Sequence, residues 1–148
     1  MSITRSLIVS LAALMSSHAL AQVESPQKFD NYLVHFNALS SQNLQPQMAK
    51  QYGIERSSKN GLLTIVVQKH AGDGNDTPVN ASISGKAVSL TGLETPLRVR
   101  EIREGGDISY IGEFAVKGPD TYRFTVSIKP EGAARGYTLK FEQNYAAN

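Results

Sequence analysis

Thr121-Tyr122-Arg123-Phe124-Thr125-Val126-Ser127-Ile128-Lys129 decides the fold. Aromatic and β-branched residues at Tyr122, Phe124, Val126 and Ile128 alternate with polar ones, the period of two that belongs to a strand with one buried and one wetted face. Pro130-Glu131-Gly132 then turns the chain. The pattern resumes beyond it, with Tyr137, Leu139, Phe141 and Tyr145 alternating with Thr138, Lys140, Glu142 and Asn144. Two such runs around a Pro/Gly turn predict a β-hairpin.

The same reading extends upstream. Leu97 to Glu104 and Asp107 to Val116 flank Gly105-Gly106, a strong two-residue hairpin signal. The first of these strands changes phase, because Leu97 and Val99 share a parity that Ile102 does not, and a bulge near Arg100-Glu101 is the predicted repair. Leu62 to His70 is rich in β-branched residues and reads as a central strand buried on both faces. Residues 71 to 78 form a turn, Val79, Ala81 and Ile83 alternate, Gly85 marks a bend before Val88 and Leu90, and Thr91 to Pro96 is a loop. Near the start, Tyr32, Val34 and Phe36 alternate with Leu33, His35 and Asn37 as one more strand. A single short helix is predicted after it. Pro46 suits the first helical position, Met48, Ala49 and Tyr52 can share a face, and Gly53 suits the left-handed position past the end. Eight candidate strands with polar turns predict an all-β, immunoglobulin-like or transthyretin-like β-sandwich, with a small barrel as the alternative.

Residues 1–21 read as a secretory signal. Arg5 precedes the short apolar run Leu7 to Met15, and Ala19-Leu20-Ala21 places small residues where a signal peptidase cuts. The run is too short for a stable membrane span, and the absence of cysteine rules out a lipid anchor. Residues 22–28 then form a flexible leader, and 29–148 a single domain. Without disulfides the domain draws its stability from packing, and a bacterial periplasm is the expected compartment. The 15 Lys and Arg against 13 Asp and Glu give a net charge of +2. The nearest thing to a basic cluster, Arg98, Arg100 and Arg103, is interrupted by Glu101 and Glu104, which argues against a nucleic-acid partner.

Several stretches together carry a family resemblance. Asn31-Tyr32-Leu33-Val34-His35-Phe36-Asn37-Ala38 leads into Leu44-Gln45-Pro46, Ala49, Tyr52-Gly53-Ile54 and Arg56-Ser57, and Leu97-Arg98-Val99-Arg100-Glu101-Ile102-Arg103-Glu104 follows later. From about Phe29 to Tyr145 the chain resembles a family of exported Gram-negative proteins classed as a domain of unknown function, DUF4426. Ser109, in Gly106-Asp107-Ile108-Ser109-Tyr110, stands where that family suggests a bulkier aromatic. The resemblance implies a signal-bearing, single-domain protein and brings no activity with it.

The residues that carry chemistry are sparse. His35 and His70 both fall on predicted strands, and a metal site would need them to meet and to recruit a third ligand. Met48 is the only methionine past the signal, which excludes a Met-rich copper carrier. Asp73, Asn75 and Asp76 lack the spacing of a calcium loop. No Gly-x-Ser-x-Gly elbow and no cysteine nucleophile occur. No cofactor or metal is therefore expected. His35, Asn37, Arg56, Glu101, Arg103 and Tyr110 form the candidate binding patch, provided the helix-turn and the Gly105-Gly106 hairpin adjoin. The competing reading is that Arg56 and Glu101 merely pair to hold the helix-turn on the sandwich. The leading expectation is a non-catalytic periplasmic protein that binds a partner protein or small ligand. The alternative is a hydrolase acting on an envelope component, with Glu101 and His35 as its acid–base pair.

Overall fold

In the computed structural model, which describes residues 26–146, ten strands assemble into two antiparallel sheets. The expected signal segment 1–21 lies outside the described residues, as do 22–25 of the leader and 147–148. The strands are β1 (Gln27–Phe29), β2 (Tyr32–Ser40), β3 (Asn60–Lys69), β4 (Thr77–Pro78), β5 (Ala81–Ser89), β6 (Glu94–Pro96), β7 (Arg98–Glu104), β8 (Asp107–Ala115), β9 (Asp120–Pro130) and β10 (Tyr137–Tyr145). One sheet runs β1-β2-β3-β8-β7, with β4 also paired to β3, and the other runs β10-β9-β5-β6. A 3-10 turn (Ser41–Asn43) and helix α1 (Pro46–Tyr52) link β2 to β3. The sandwich expectation holds.

The deciding stretch behaves as its period requires. Tyr122, Val126 and Ile128 are fully buried and Phe124 nearly so, while Arg123, Ser127 and Lys129 face water. Nine consecutive residue pairs join β9 to β10 without a skip. Phe114 of the first sheet meets three rings of the second: Tyr122, Phe124 and Tyr145 lie at centroid distances of 5.7, 5.2 and 5.6 Å. Its cross-strand neighbour is Gly61, and the ring lies over that glycine so closely that a Cβ there would stand 2.2 Å from Phe114 Cζ. Gly61 is needed for space.

Several expectations need correction. Gln27 and Lys28, read as the end of the leader, belong to β1 and pair with Val34 and Leu33. Gly85 does not bend the chain. It sits inside β5, paired with Val126, where a Cβ would stand 2.6 Å from the Thr125 carbonyl oxygen. Residues 94–96, read as loop, form β6 against Lys86 to Val88. No bulge interrupts β7, whose register with β8 runs unbroken from Arg98↔Glu113 to Glu104↔Asp107. Ile102 is out of phase because it faces outward, into a second apolar cluster with Ile54, Leu62, Ile111, Leu39, Leu44 and Tyr52. β3 is buried on both faces only from Gly61 to Leu63, and alternates from Thr64 onward. In α1, Pro46 opens the helix and Gly53 closes it at φ 63°, but Met48 is 42 % exposed and only Ala49 is buried.

Gly61→Ala is expected to cost about 1–3 kcal/mol in urea unfolding, as overpacking of a tight core does. Combining it with Phe114→Leu should recover part of that loss, the coupling expected of residues in contact. Tyr145 gives a second test. Its buried hydroxyl has no hydrogen-bond partner among the described residues. Burial, with Tyr122 nearby, holds its pKa well above the ordinary phenol value. The neutral ring is the form that fits the fold. Its contribution is fully present below the unfolded-state pKa of about 10 and is lost as pH rises toward the folded value. Tyr145→Phe should therefore be neutral to stabilising by about 1 kcal/mol at pH 7. It should also flatten the alkaline decline of the unfolding midpoint.

Candidate functional site

The outer face of the first sheet is divided between a capped half and an open half. Side chains of Leu39, Leu62, Ile102 and Ile111 point outward and would be wetted in a plain sandwich, but the segment from Ser41 to Ile54 folds over them. Ser41 anchors that cap. Fully buried, its Oγ lies 2.7 Å from the Glu55 carbonyl and accepts the Ser57 N–H at 2.9 Å. Glu104 accepts from Gln51 Nε2 at 2.7 Å and from the Tyr52 hydroxyl at 3.0 Å, and the second bond raises the Tyr52 pKa. Arg100 donates to the Tyr52 carbonyl, closing the helix end onto β7.

Against this frame the six candidate residues do not form one patch. Arg56 donates to the Gln42 carbonyl at 3.0 Å and serves the cap, with no contact to Glu101. Glu101 pairs with Arg103, and Arg103 also donates to Asn80. Glu101 stands opposite Tyr110 in the β7–β8 register, and cross-strand partners share a face, so both belong to the inward side of the sheet. Tyr110 is buried there, its hydroxyl accepting the Ala81 N–H at 2.8 Å. His35 and Asn37 lie on the opposite, outward face. The proposed acid–base pair of Glu101 and His35 is separated by β3 and β8, about 14 Å of sheet, as well as by face.

What remains together is the open half of the outer face. His35 and Asn37 are exposed, and His35 Nε2 lies 2.8 Å from Gln68 Oε1. Leu33 stands opposite Gln68, and Val66 opposite His35, both apolar chains half-buried. Sequence reasoning missed Gln68, Val66 and Leu33 because their adjacency depends on the β2–β3 register, which the 3-10 turn and helix between the strands conceal. His70 is elsewhere, with Nδ1 2.6 Å from Asp76 Oδ1. Among the described residues no three of His, Cys, Asp or Glu gather as a metal site would require.

A charged cluster also ties the two sheets at one corner. Asp30, held at φ 51° in the β1–β2 turn, accepts the Tyr137 hydroxyl at 2.8 Å and pairs with Arg135 at 3.2 Å. The Tyr137 bond and then Arg135 lower the Asp30 pKa.

The profile of one protein family, described as a domain of unknown function (DUF4426), matches residues 26–146. A crystal structure of a DUF4426 family protein from Pseudomonas aeruginosa PAO1 superposes with a TM-score of 0.70 at 30 % identity, covering 87 % of this chain and 99 % of that one. FetP of uropathogenic Escherichia coli strain F11 is similar in fold at a TM-score of 0.59 and 13 % identity, over 82 % of this chain and 93 % of that one. A copper-bound variant of the same FetP gives 0.58 and 13 %, over 85 % and 92 %. Comparison with curated proteins finds no match.

Asp30 yields a pH prediction. A carboxylate whose folded pKa is depressed stabilises the fold above its unfolded value of about 3.9, and the contribution vanishes as pH falls through the folded value. Asp30→Asn keeps a residue that tolerates positive φ. The variant and the parent should differ slightly in unfolding midpoint at pH 6 and converge in the acid limb below pH of about 3.

Proposed function

The chain belongs to the DUF4426 family, and on that footing we propose that it is an exported, non-catalytic β-sandwich that binds a partner protein in the periplasm. The observation that carries this reading is the open half of the first sheet's outer face. A sheet face left bare beside a purpose-built cap presents Leu33 and Val66 flanked by His35, Asn37 and Gln68. A sheet face with apolar and polar side chains side by side suits a protein partner better than a small ligand, which needs a concave site. The signal-like residues 1–21 and the absence of cysteine support the compartment.

Copper binding belongs to the FetP variant and does not come across. Its likeness to this chain, at 13 % identity, concerns the fold alone. The two described histidines are engaged separately, with Gln68 and with Asp76, and among the described residues no ligand cluster surrounds either. The hydrolase alternative loses its acid–base pair to the separation described above.

Site-specific photo-crosslinking in living cells tests the proposal. A crosslinker replacing His35 or Gln68 should yield a discrete adduct, and one replacing Ser127, on the exposed outer face of the other sheet, should not. His35→Ala combined with Asn37→Ala should reduce the Gln68 adduct severalfold while leaving the circular dichroism spectrum intact. Equal labelling from Ser127, or none from either His35 or Gln68, would overturn the assignment.

A further inference from the structure

The four edges of the two sheets are not equally defended. β1 and β6 are three residues long, and β6 carries Pro96. β7 is longer, but Arg98, Arg100, Glu101, Arg103 and Glu104 make its edge heavily charged. β10 is neither short nor interrupted by proline, and Lys140 and Glu142 are its only charges. It runs nine residues, Tyr137–Tyr145, without proline, glycine or a break in register, and β9 occupies only one of its sides. Among the described residues no strand pairs with the other side. Monomeric proteins blunt such edges, and a long, aromatic-rich strand left open is a template for another strand.

We propose that β10 is the contact between two copies of this chain, paired antiparallel about a two-fold axis through Phe141. The pleat restricts the choice of axis. A two-fold axis perpendicular to the sheet must place inward residues opposite inward residues, so it passes through a residue and never between two. An axis at Phe141 pairs all nine residues of the strand. It sets Lys140 opposite Glu142 of the partner subunit, and by symmetry Glu142 opposite Lys140 of the partner subunit. Moving the axis to Lys140 sets that lysine against its own copy and shortens the pairing. Moving it to Glu142 does the same with two glutamates. The strand's one cation and one anion are therefore placed for self-complementarity at the register that pairs the most backbone.

The inner side suits the same arrangement. Phe141 is half-buried, stacked on Phe124 at 4.6 Å and touching Phe36 at 4.6 Å, so its copy would extend an existing aromatic row. β2 packs across from β10, and β1 carries the first sheet one strand further out. Phe29 on β1, stacked on Tyr137 at 5.2 Å, thus provides an apolar floor where a partner strand would land. This surface is distinct from the open outer face, and the inference does not rest on the binding role assigned there.

Sedimentation equilibrium of the cleaved, exported protein, with native mass spectrometry, tests it. The parent is expected to be a dimer at tens of micromolar. Lys140→Glu turns both cross-edge pairs into repulsive ones and should weaken association by about tenfold, given the modest worth of each exposed pair. Its neighbour on β9 is the neutral Thr125, so the fold is unaffected. Glu142→Lys should weaken association likewise, although Glu142 also lies 3.9 Å from Arg123 within the subunit. The decisive measurement mixes the two variants, one isotopically labelled. Only a heterodimer restores both attractive pairs, so it should exceed either homodimer. A monomeric parent, as when another segment of the chain covers the edge, overturns the proposal. So does a dimer indifferent to both reversals, or a mixture with no preference for the heterodimer.

Discussion

Everything in this domain hangs on the contact between Phe114 and Gly61. A sandwich needs its sheets about 10 Å apart, with side chains from both filling the gap. Phe114 fills the centre of that gap against Tyr122, Phe124 and Tyr145, two of them edge-on with interplanar angles of 81° and 86°. The ring occupies this position because it lies flat across its own neighbouring strand, over a residue with no side chain. Any Cβ at Gly61 would push the ring toward the opposite sheet and disturb three aromatic neighbours together. With no disulfide to hold the layers, the geometry of this one cross-strand pair sets their spacing.

The second apolar cluster gives the first sheet its unusual division of labour. Leu39, Leu62, Ile102 and Ile111 give one half of the outer face a small core of its own. Ser41 and Glu104 spend their hydrogen bonds fixing the cap that covers it. The two halves of β2 and β3 therefore live in different environments: near Leu39 and Leu62 both faces are packed, while near His35 and Val66 the outer face is open. A strand that changes from two-sided to one-sided burial part-way along its length holds its exposed side chains on a rigid support.

Legibility in the sequence followed burial pattern. Strands with one wet face, such as β9 and β10, declare themselves through strict alternation, and the Gly105-Gly106 turn fixes its hairpin. The errors arose where alternation has a second cause. Ile102 looks like a phase slip because its apolar partner surface, the cap, comes from residues some fifty positions away. Gly85 resembles a bend, yet it is demanded by the closeness of Thr125 and Leu97. The candidate patch failed for a related reason. Residues of charge and polarity were grouped by plausible adjacency, but a strand sends neighbours to opposite faces, so Glu101 and His35 parted. Their assignment needed the strand order β2-β3-β8-β7, which no local pattern reveals.

The strand order also dictates how the chain must find its shape. Asn60 pairs with Ala115 and Ala81 with Pro130, so the centre of each sheet is closed by residues about fifty apart in sequence. The hairpins β7–β8 and β9–β10 assemble locally, but neither buries Phe114 until β3 arrives with Gly61. Loop-closure entropy is spent before the central packing is gained, which makes folding slow compared with a helical domain of this size. Until β3 docks, the apolar faces of both hairpins stay open to proteases and chaperones, and closure of the aromatic centre ends that interval.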